Sequence, residues 1–119
     1  MRRVMWIEHK VGDGLLRPAR IGWVKVSDKG KRLDYGNQSF RTLRGNGLFK
    51  SNYYDVETGD EYWISGCRID GRDALYTTTV EIDEEALEEY WVNIRKQARN
   101  KHIRQMSANG KYGSFLNLN

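Results

Sequence analysis

Cysteine and proline each occur once, as Cys67 and Pro18, and histidine only twice, as His9 and His102. A single cysteine forms no internal disulfide, so nothing in the sequence calls for an oxidising compartment. Two histidines and one cysteine give no metal-ligand spacing, and no cofactor-binding motif is present; neither a metal nor a cofactor is expected. Long apolar runs are also missing. The longest near the start is Val4-Met5-Trp6-Ile7, too short for a signal-peptide core or a membrane span. Acidic residues are absent from 94–119. Together these absences lead to the expectation of a reduced, cytoplasmic protein with no membrane association.

What is present is aromatic and charged. The 119 residues include four Trp, seven Tyr and three Phe, enough to argue for a folded core. The length suits one domain. The net charge of +4 hides a strong segregation. Residues 1–50 hold twelve Lys/Arg against four Asp/Glu, residues 51–93 hold two against twelve, and residues 94–119 hold six against none. Local fields therefore say more about partners than the total does, and the simplest use of such segments is to pair with each other in the fold.

Hydrophobic periodicity divides the chain into strands followed by one helix. Alternation over 2–10 and Ile21–Val26 reads as strands, with Val24 and Val26 on one face and Ile21, Trp23 and Lys25 on the other. Gly12-Asp13-Gly14, Asp28-Lys29-Gly30-Lys31, Gly36-Asn37, Asn46-Gly47, Thr58-Gly59-Asp60 and Asp70-Gly71 are turn signals between further short strands at 33–35, 40–43, 53–57 and 62–67. Tyr76, Thr78, Val80 and Ile82 share one face of a last strand. From Glu84 to about Arg104 the period becomes helical through Leu87, Tyr90, Trp91, Ile94 and Ala98, with Asp83 as N-cap, acidic residues early and basic residues late. The expected architecture is α+β, mainly β: a small antiparallel, SH3-like or similar, barrel or bent sheet of about five to seven strands with one C-terminal helix. Residues 1–105 form this domain and 106–119 a flexible tail.

Ala19-Arg20-Ile21-Gly22, Asp28-Lys29-Gly30, the run from Asn52 to Tyr76 and Val80-Glu81-Ile82-Asp83 together resemble a family of small bacterial proteins of unknown function. Ile7-Glu8-His9-Lys10 fits the start of that pattern, and the resemblance covers about residues 7–95. Some members carry the label 1-deoxyxylulose-5-phosphate synthase. An enzyme of that kind needs thiamine diphosphate, Mg²⁺ and a far longer chain, so the resemblance implies no catalytic residues here. Two positions depart from the pattern: Trp23 and Ala74 stand where relatives usually carry Arg. The basic stretch after Arg99 lies outside it.

The chemistry-bearing residues mostly read as structural. Cys67, beside Arg68, could be a thiolate with His9 or His102 as base, but a small half-buried strand residue is the simpler reading. His9 reads as a hydrogen-bonded structural side chain and His102 as a solvated cation. Asp55, Glu57, Asp60 and Glu61 lack the ligand spacing of a calcium loop, and Asp70 and Asp73 read as turn residues. The loop Arg44–Lys50 is glycine-rich and basic without being a phosphate-binding loop of the Walker type. Glu84, Glu85, Glu88 and Glu89 crowd the helix start, and Glu88 and Glu89 are expected to face sheet cations.

One pattern points to a ligand. Arg17, Arg20, Lys25, Lys29, Lys31, Arg32, Arg41, Arg44 and Lys50 interleave with Trp23, Phe40 and Phe49. Phosphate neutralisation combined with ring stacking is how small barrels hold single strands. The favoured reading is a non-enzymatic binding module for DNA or RNA. Its nucleic-acid-binding residues are Arg20, Trp23, Lys25, Lys29, Lys31, Arg32, Arg41, Arg44 and Lys50, and no residue is assigned a catalytic role. Trp23 is expected outward beside Lys25, with Phe115 and Leu116 as the alternative cover for it. The second reading is an immunity- or inhibitor-like protein that docks a basic protein on its acidic 51–93 surface. A thiol enzyme at Cys67 comes third. The sequence leaves oligomeric state open.

Overall fold

Both faces of β1 (Arg2–Lys10) are buried. Val4 and Trp6 point to one apolar cluster, Met5 and Ile7 to another. That double burial sets the architecture, seen in a computed structural model that describes residues 1–10, 17–44 and 50–113. The turn signals at Gly12–Gly14 and Asn46–Gly47, the centre of the Arg44–Lys50 loop with Phe49, and Phe115 and Leu116 lie outside the described residues.

Five strands join β1: β2 (Ala19–Val26), β3 (Arg32–Tyr35), β4 (Gln38–Thr42), β5 (Tyr53–Asp55) and β6 (Glu61–Gly66). They run in the order β1-β6-β5-β4-β3-β2, all antiparallel, and the β1–β2 pairing closes the ring. This is the small antiparallel barrel that the alternating pattern predicts. Its lumen is filled by Met5, Ile7, Val24, Leu33, Phe40, Tyr62 and Ile64, so Phe40 is core and not a stacking surface. Gly30, Gly36 and Gly59 take positive φ at the expected turns, where glycine adopts the left-handed region without a Cβ penalty.

The second cluster lies outside the barrel wall. β7 (Thr78–Ile82) pairs in parallel with the start of β2, and β8 (Gln105–Ala108) pairs antiparallel with β7. Ile21, Val80, Ile82, Ala86, Leu87, Tyr90 and Trp91 fill the space between this extension and the helix. A parallel partner for β2 is a departure from the all-antiparallel expectation. The connection through 67–77 brings β7 back to the start of β2 in the same direction.

The helix is shorter than its periodicity predicts. A 3₁₀ turn at Glu84–Ala86 continues into a π turn at Glu89–Ile94, and the helical segment ends there instead of near 104. Lys96 sits in the left-handed region at φ 56°, and the Gln97 N–H closes on the Trp91 carbonyl at 2.7 Å. The reversal lets Ile103 and Met106 pack back on the cluster around Trp91, whose Nε1 donates to the Ile103 carbonyl at 3.0 Å. Apolar burial outweighs continued helix, and the basic sequence at 98–104 becomes a 3₁₀ turn and a connection. The flexible tail expected at 106–119 is likewise corrected in its first part. Residues 106–108 belong to β8, and the chain to Gly113 stays tied to 74–77 by main-chain hydrogen bonds. A Cβ at Gly110 would collide with the main chain of Tyr76 and Thr77, so this close approach requires glycine.

Candidate nucleic-acid interface

The nine residues that the sequence groups into one binding set divide among several places. Arg20 falls on the lumen parity of β2, at a barrel mouth. Its guanidinium donates to the Tyr35 hydroxyl at 2.9 Å, to Glu81 at 3.0 Å and to Asp83 at 2.5 Å. The Tyr35 hydroxyl in turn donates to the other Asp83 oxygen at 2.6 Å. Burial and that bond push the Tyr35 hydroxyl up to about 12. A Cβ at Gly22 would lie 2.7 Å from the Tyr35 ring and would strike Asp83, so glycine makes room for this knot. Arg20 is a structural cation, already paired.

Trp23 is not a free outward ring. It packs against the outer cluster, and its Nε1 donates to the Glu85 carbonyl at 2.9 Å. The cover over it is the helix start, and the Arg2 guanidinium lies 4.7 Å from its ring centroid. The expectation from parity has the direction right. It misses the extra layer that β7 and the helix lay over this face.

The remaining cations, Lys50 excepted, gather around β3 and β4. Leu33 and Phe40 point into the barrel, so Arg32, Asp34, Ser39 and Arg41 point out. Lys25 stands opposite Asp34, and Arg32 directly opposite Arg41. Asp34 accepts from Ser39 at 2.6 Å and from Arg32 at 3.3 Å. The Ser39 hydroxyl and then the Arg32 guanidinium, working against desolvation, hold its carboxyl below the usual range. Lys29 and Lys31 are exposed in the β2–β3 turn, which the Lys31 carbonyl ties to β4 by accepting from Thr42. Arg44 is exposed beyond the end of β4, and Lys50 holds its ammonium 5.8 Å from the Tyr112 ring centroid. Tyr54 on β5 is the aromatic that sequence reasoning missed. It is registered opposite Arg41, on the outer parity, while Tyr53 faces the lumen cluster. The two-residue period through Tyr53 and Tyr54 was the available signal.

Other candidates resolve as structural. Burial, and then the nearby Asp73 carboxyl, push the Cys67 thiol up, the opposite of what a nucleophile needs. Asp73 is buried and accepts from the Arg68 N–H at 2.9 Å; desolvation raises its carboxyl to about 6. His9 stacks on Tyr62 at 4.5 Å, with Nε2 3.3 Å from Asp60. Asp55 is buried and caps its own turn through Glu57 and Thr58. Among the described residues, no three His, Cys, Asp or Glu side chains converge as a metal site. Glu84 pairs with Arg104, and Glu89 accepts from Asn93. Glu89 is thus partnered within its own helical segment by Asn93. The sequence also gave no warning of a buried Glu8–Lys10 ion pair beneath Tyr76.

No family model, curated protein or solved structure matches the chain. No helix among the described residues is long and apolar enough to cross a membrane.

Proposed function

We propose that this protein is a non-enzymatic binding module for single-stranded nucleic acid, and that the strand lies on the outer face of β3, β4 and β5. The observation that carries this reading is the row Arg32–Arg41–Tyr54, continuous across three neighbouring strands. Like charges directly opposite each other in a sheet are destabilising. A phosphate between the two guanidinium groups relieves that repulsion, and the Tyr54 ring offers a face for base stacking. Lys25, Lys29 and Lys31 extend the positive field along the same side. Arg20 and Trp23 drop out of the binding set because they lie off this face, Arg20 knotted with Asp83 and Tyr35 at the barrel mouth and Trp23 under the helix start; Arg32 keeps only an exposed pair with Asp34.

The alternative of a basic protein docked on 51–93 finds less support. Asp55 and Asp73 are buried, and Asp83 is held by Arg20 and Tyr35, so three of the acidic residues of this segment serve the fold.

The test is fluorescence anisotropy with labelled oligo-dT and oligo-U over roughly 50–200 mM salt. Arg41→Ala should reduce the salt slope by about one. Tyr54→Ala should weaken binding at every salt concentration by about 1–3 kcal/mol. Trp23→Phe should leave the slope unchanged. Absence of binding to either oligonucleotide, or binding indifferent to Arg41 and Tyr54, overturns the reading.

A further inference from the structure

β8 ends the strand order, so one of its edges has no partner strand among the described residues. The pairing pattern identifies which groups this edge presents. The Ile82 N–H donates to the Arg104 carbonyl, making Ile82 and Arg104 a hydrogen-bonded pair. Pairs of that kind alternate along an antiparallel ladder, so Val80–Met106 and Thr78–Ala108 are bonded in the same way. The N–H and C=O groups of Gln105 and Ser107 therefore point away from β7, toward the edge that no strand among the described residues covers.

At Ser107 that edge borders a groove of about 820 Å³ lined by residues 106–111, Arg68, Arg72 and Arg95, with the buried Ala74 and Trp91 also in its wall. Gln105, at the other end of the edge, lines a separate hollow with Glu81, Glu84, Glu85 and Arg104, so the acidic side chains of a bound segment belong at the Ser107 end. Four cations line the groove at Ser107, counting Lys111, and no acidic side chain does. Arg95 is preset: Nε donates to the Ile69 carbonyl at 3.0 Å, Nη1 to the Tyr90 hydroxyl at 3.2 Å, and the guanidinium lies 5.4 Å from the Trp91 ring centroid. Its Nη2 meets no acceptor among the described residues. The Arg68–Asp70 pair is exposed at both ends and exchangeable at little cost.

We propose that this groove binds an acidic peptide segment in extended form, added to the sheet as a strand beside β8. A peptide main chain matches the alternating donors and acceptors of Gln105 and Ser107, and its carboxylates meet Arg68, Arg72, Arg95 and Lys111. A nucleic acid supplies the charge but no ladder of amide donors. A second copy of this chain supplies the ladder but brings a second set of cations against the first. An acidic peptide satisfies both requirements. The site lies beyond β7, away from the β3–β5 face, and does not depend on the oligonucleotide reading.

The experiment uses the ¹⁵N-labelled full chain and a blocked peptide of alternating Glu and Val, about eight residues long. Binding should slow hydrogen exchange at the Gln105 and Ser107 amides, while Met106 and Ala108, already bonded to β7, change little. Ser107→Pro removes an outward N–H without removing a β7–β8 bond and should weaken the peptide about fivefold. The combined reversal Arg72→Glu with Lys111→Glu should weaken it by about tenfold or more. N-methylation of alternate peptide amides provides the same test of the ladder on the unaltered protein, so a misfolded Ser107→Pro chain does not leave the question open. The proposal fails if Gln105 and Ser107 gain no protection, or if the N-methylated peptide binds as well as its parent. It also fails if the matching Lys–Val peptide binds equally, if oligo-dT displaces the peptide by occupying the same cations, or if the free protein sediments as a dimer joined through β8.

Discussion

The indole N–H of Trp23 reaches across from β2 to the main-chain carbonyl of Glu85, 2.9 Å away, and so fastens the helix start to the barrel wall. One hydrogen bond of this kind contributes about 0.5–1.5 kcal/mol. Trp23→Phe keeps the ring and loses the donor, so urea unfolding should show a loss in that range. Trp23→Ala should cost more, since it also removes the ring packed beneath the helix and facing Arg2. Neither change should move the salt dependence of oligonucleotide binding.

Trp91 is the larger anchor. It is buried, stacks edge-on against Tyr90 at 4.9 Å and donates to Ile103. Trp91→Ala is expected to cost about 3–5 kcal/mol, a large part of the roughly 5–15 kcal/mol that holds a domain of this size together. Thermal unfolding checks this. Because Ile103 and Met106 pack on the same cluster, β8 should loosen first, with early hydrogen exchange at Met106 and Ala108.

Buried phenols at the barrel mouth and on the inner side of the helix make the fold sensitive to alkali. Tyr35 and Tyr90 are both pushed up to about 12, chiefly by burial. An ordinary tyrosine in the unfolded chain titrates near 10. The raised value means that the native state favours the neutral phenol. This stabilisation is fully present below about pH 10 and is lost as pH rises toward 12. Burial also raises Tyr53 and Tyr62, so absorbance titration at 295 nm should show at least four late-ionising tyrosines, and Tyr35→Phe should remove one of the latest while flattening the loss of stability in that window.

Cys67 should behave as a silent thiol. With its thiol pushed up by burial and by Asp73, alkylation near neutral pH should be slow in the native protein and fast in denaturant. Cys67→Ser should leave oligonucleotide and peptide binding intact. Rapid alkylation of the native protein, or loss of binding in a correctly folded Cys67→Ser variant, would contradict this.

The barrel is legible in the sequence because its strands alternate and its turns carry glycine where positive φ is needed. Gly30, Gly36 and Gly59 mark hairpins that the structure contains. The outer layer is not legible, since period two distinguishes two faces but not what covers them. Trp23 and Ile21 share a face that reads as outward, yet that face lies under β7 and the helix. Similarly, 84–104 carries a continuous helical period, but nothing local announces that Lys96 will turn left-handed and send Ile103 back toward Trp91. The β3–β4 cations were visible as a charged segment. Their grouping with Tyr54, and the separation of Arg20 from them, depend on register, which the sequence pattern leaves undetermined.

The Glu8–Lys10 pair is held in the buried outer face of β1. Trp6 Nε1 donates to Glu8 at 2.9 Å and the Leu75 N–H at 3.3 Å. Breaking such a pair by removing one partner typically costs about 3–5 kcal/mol, and Glu8→Gln should destabilise the protein on that scale, as measured by denaturant unfolding.

The same pair resolves an ambiguity in β1. A one-residue slip of a strand exchanges its two faces. In most half-exposed strands the slip buries polar groups and is rejected at once. In β1 it would send Val4 and Trp6 into the lumen and Met5 and Ile7 to the outer layer, apolar in either alignment. Glu8, His9 and Lys10 tell the two alignments apart, because the slipped strand would drive Glu8 into the lumen beside Phe40 and Tyr62 and take His9 off its Tyr62 stack. Replacing Glu8 and Lys10 with leucine, and His9 with phenylalanine, would weaken that discrimination without exposing anything to water. Such a chain should refold to a mixture of two misaligned populations that exchange slowly, visible as doubled amide resonances along β1 and β6, even if its total stability is no lower. A single set of amide resonances from that variant would show that the polar residues of β1 do not set its alignment.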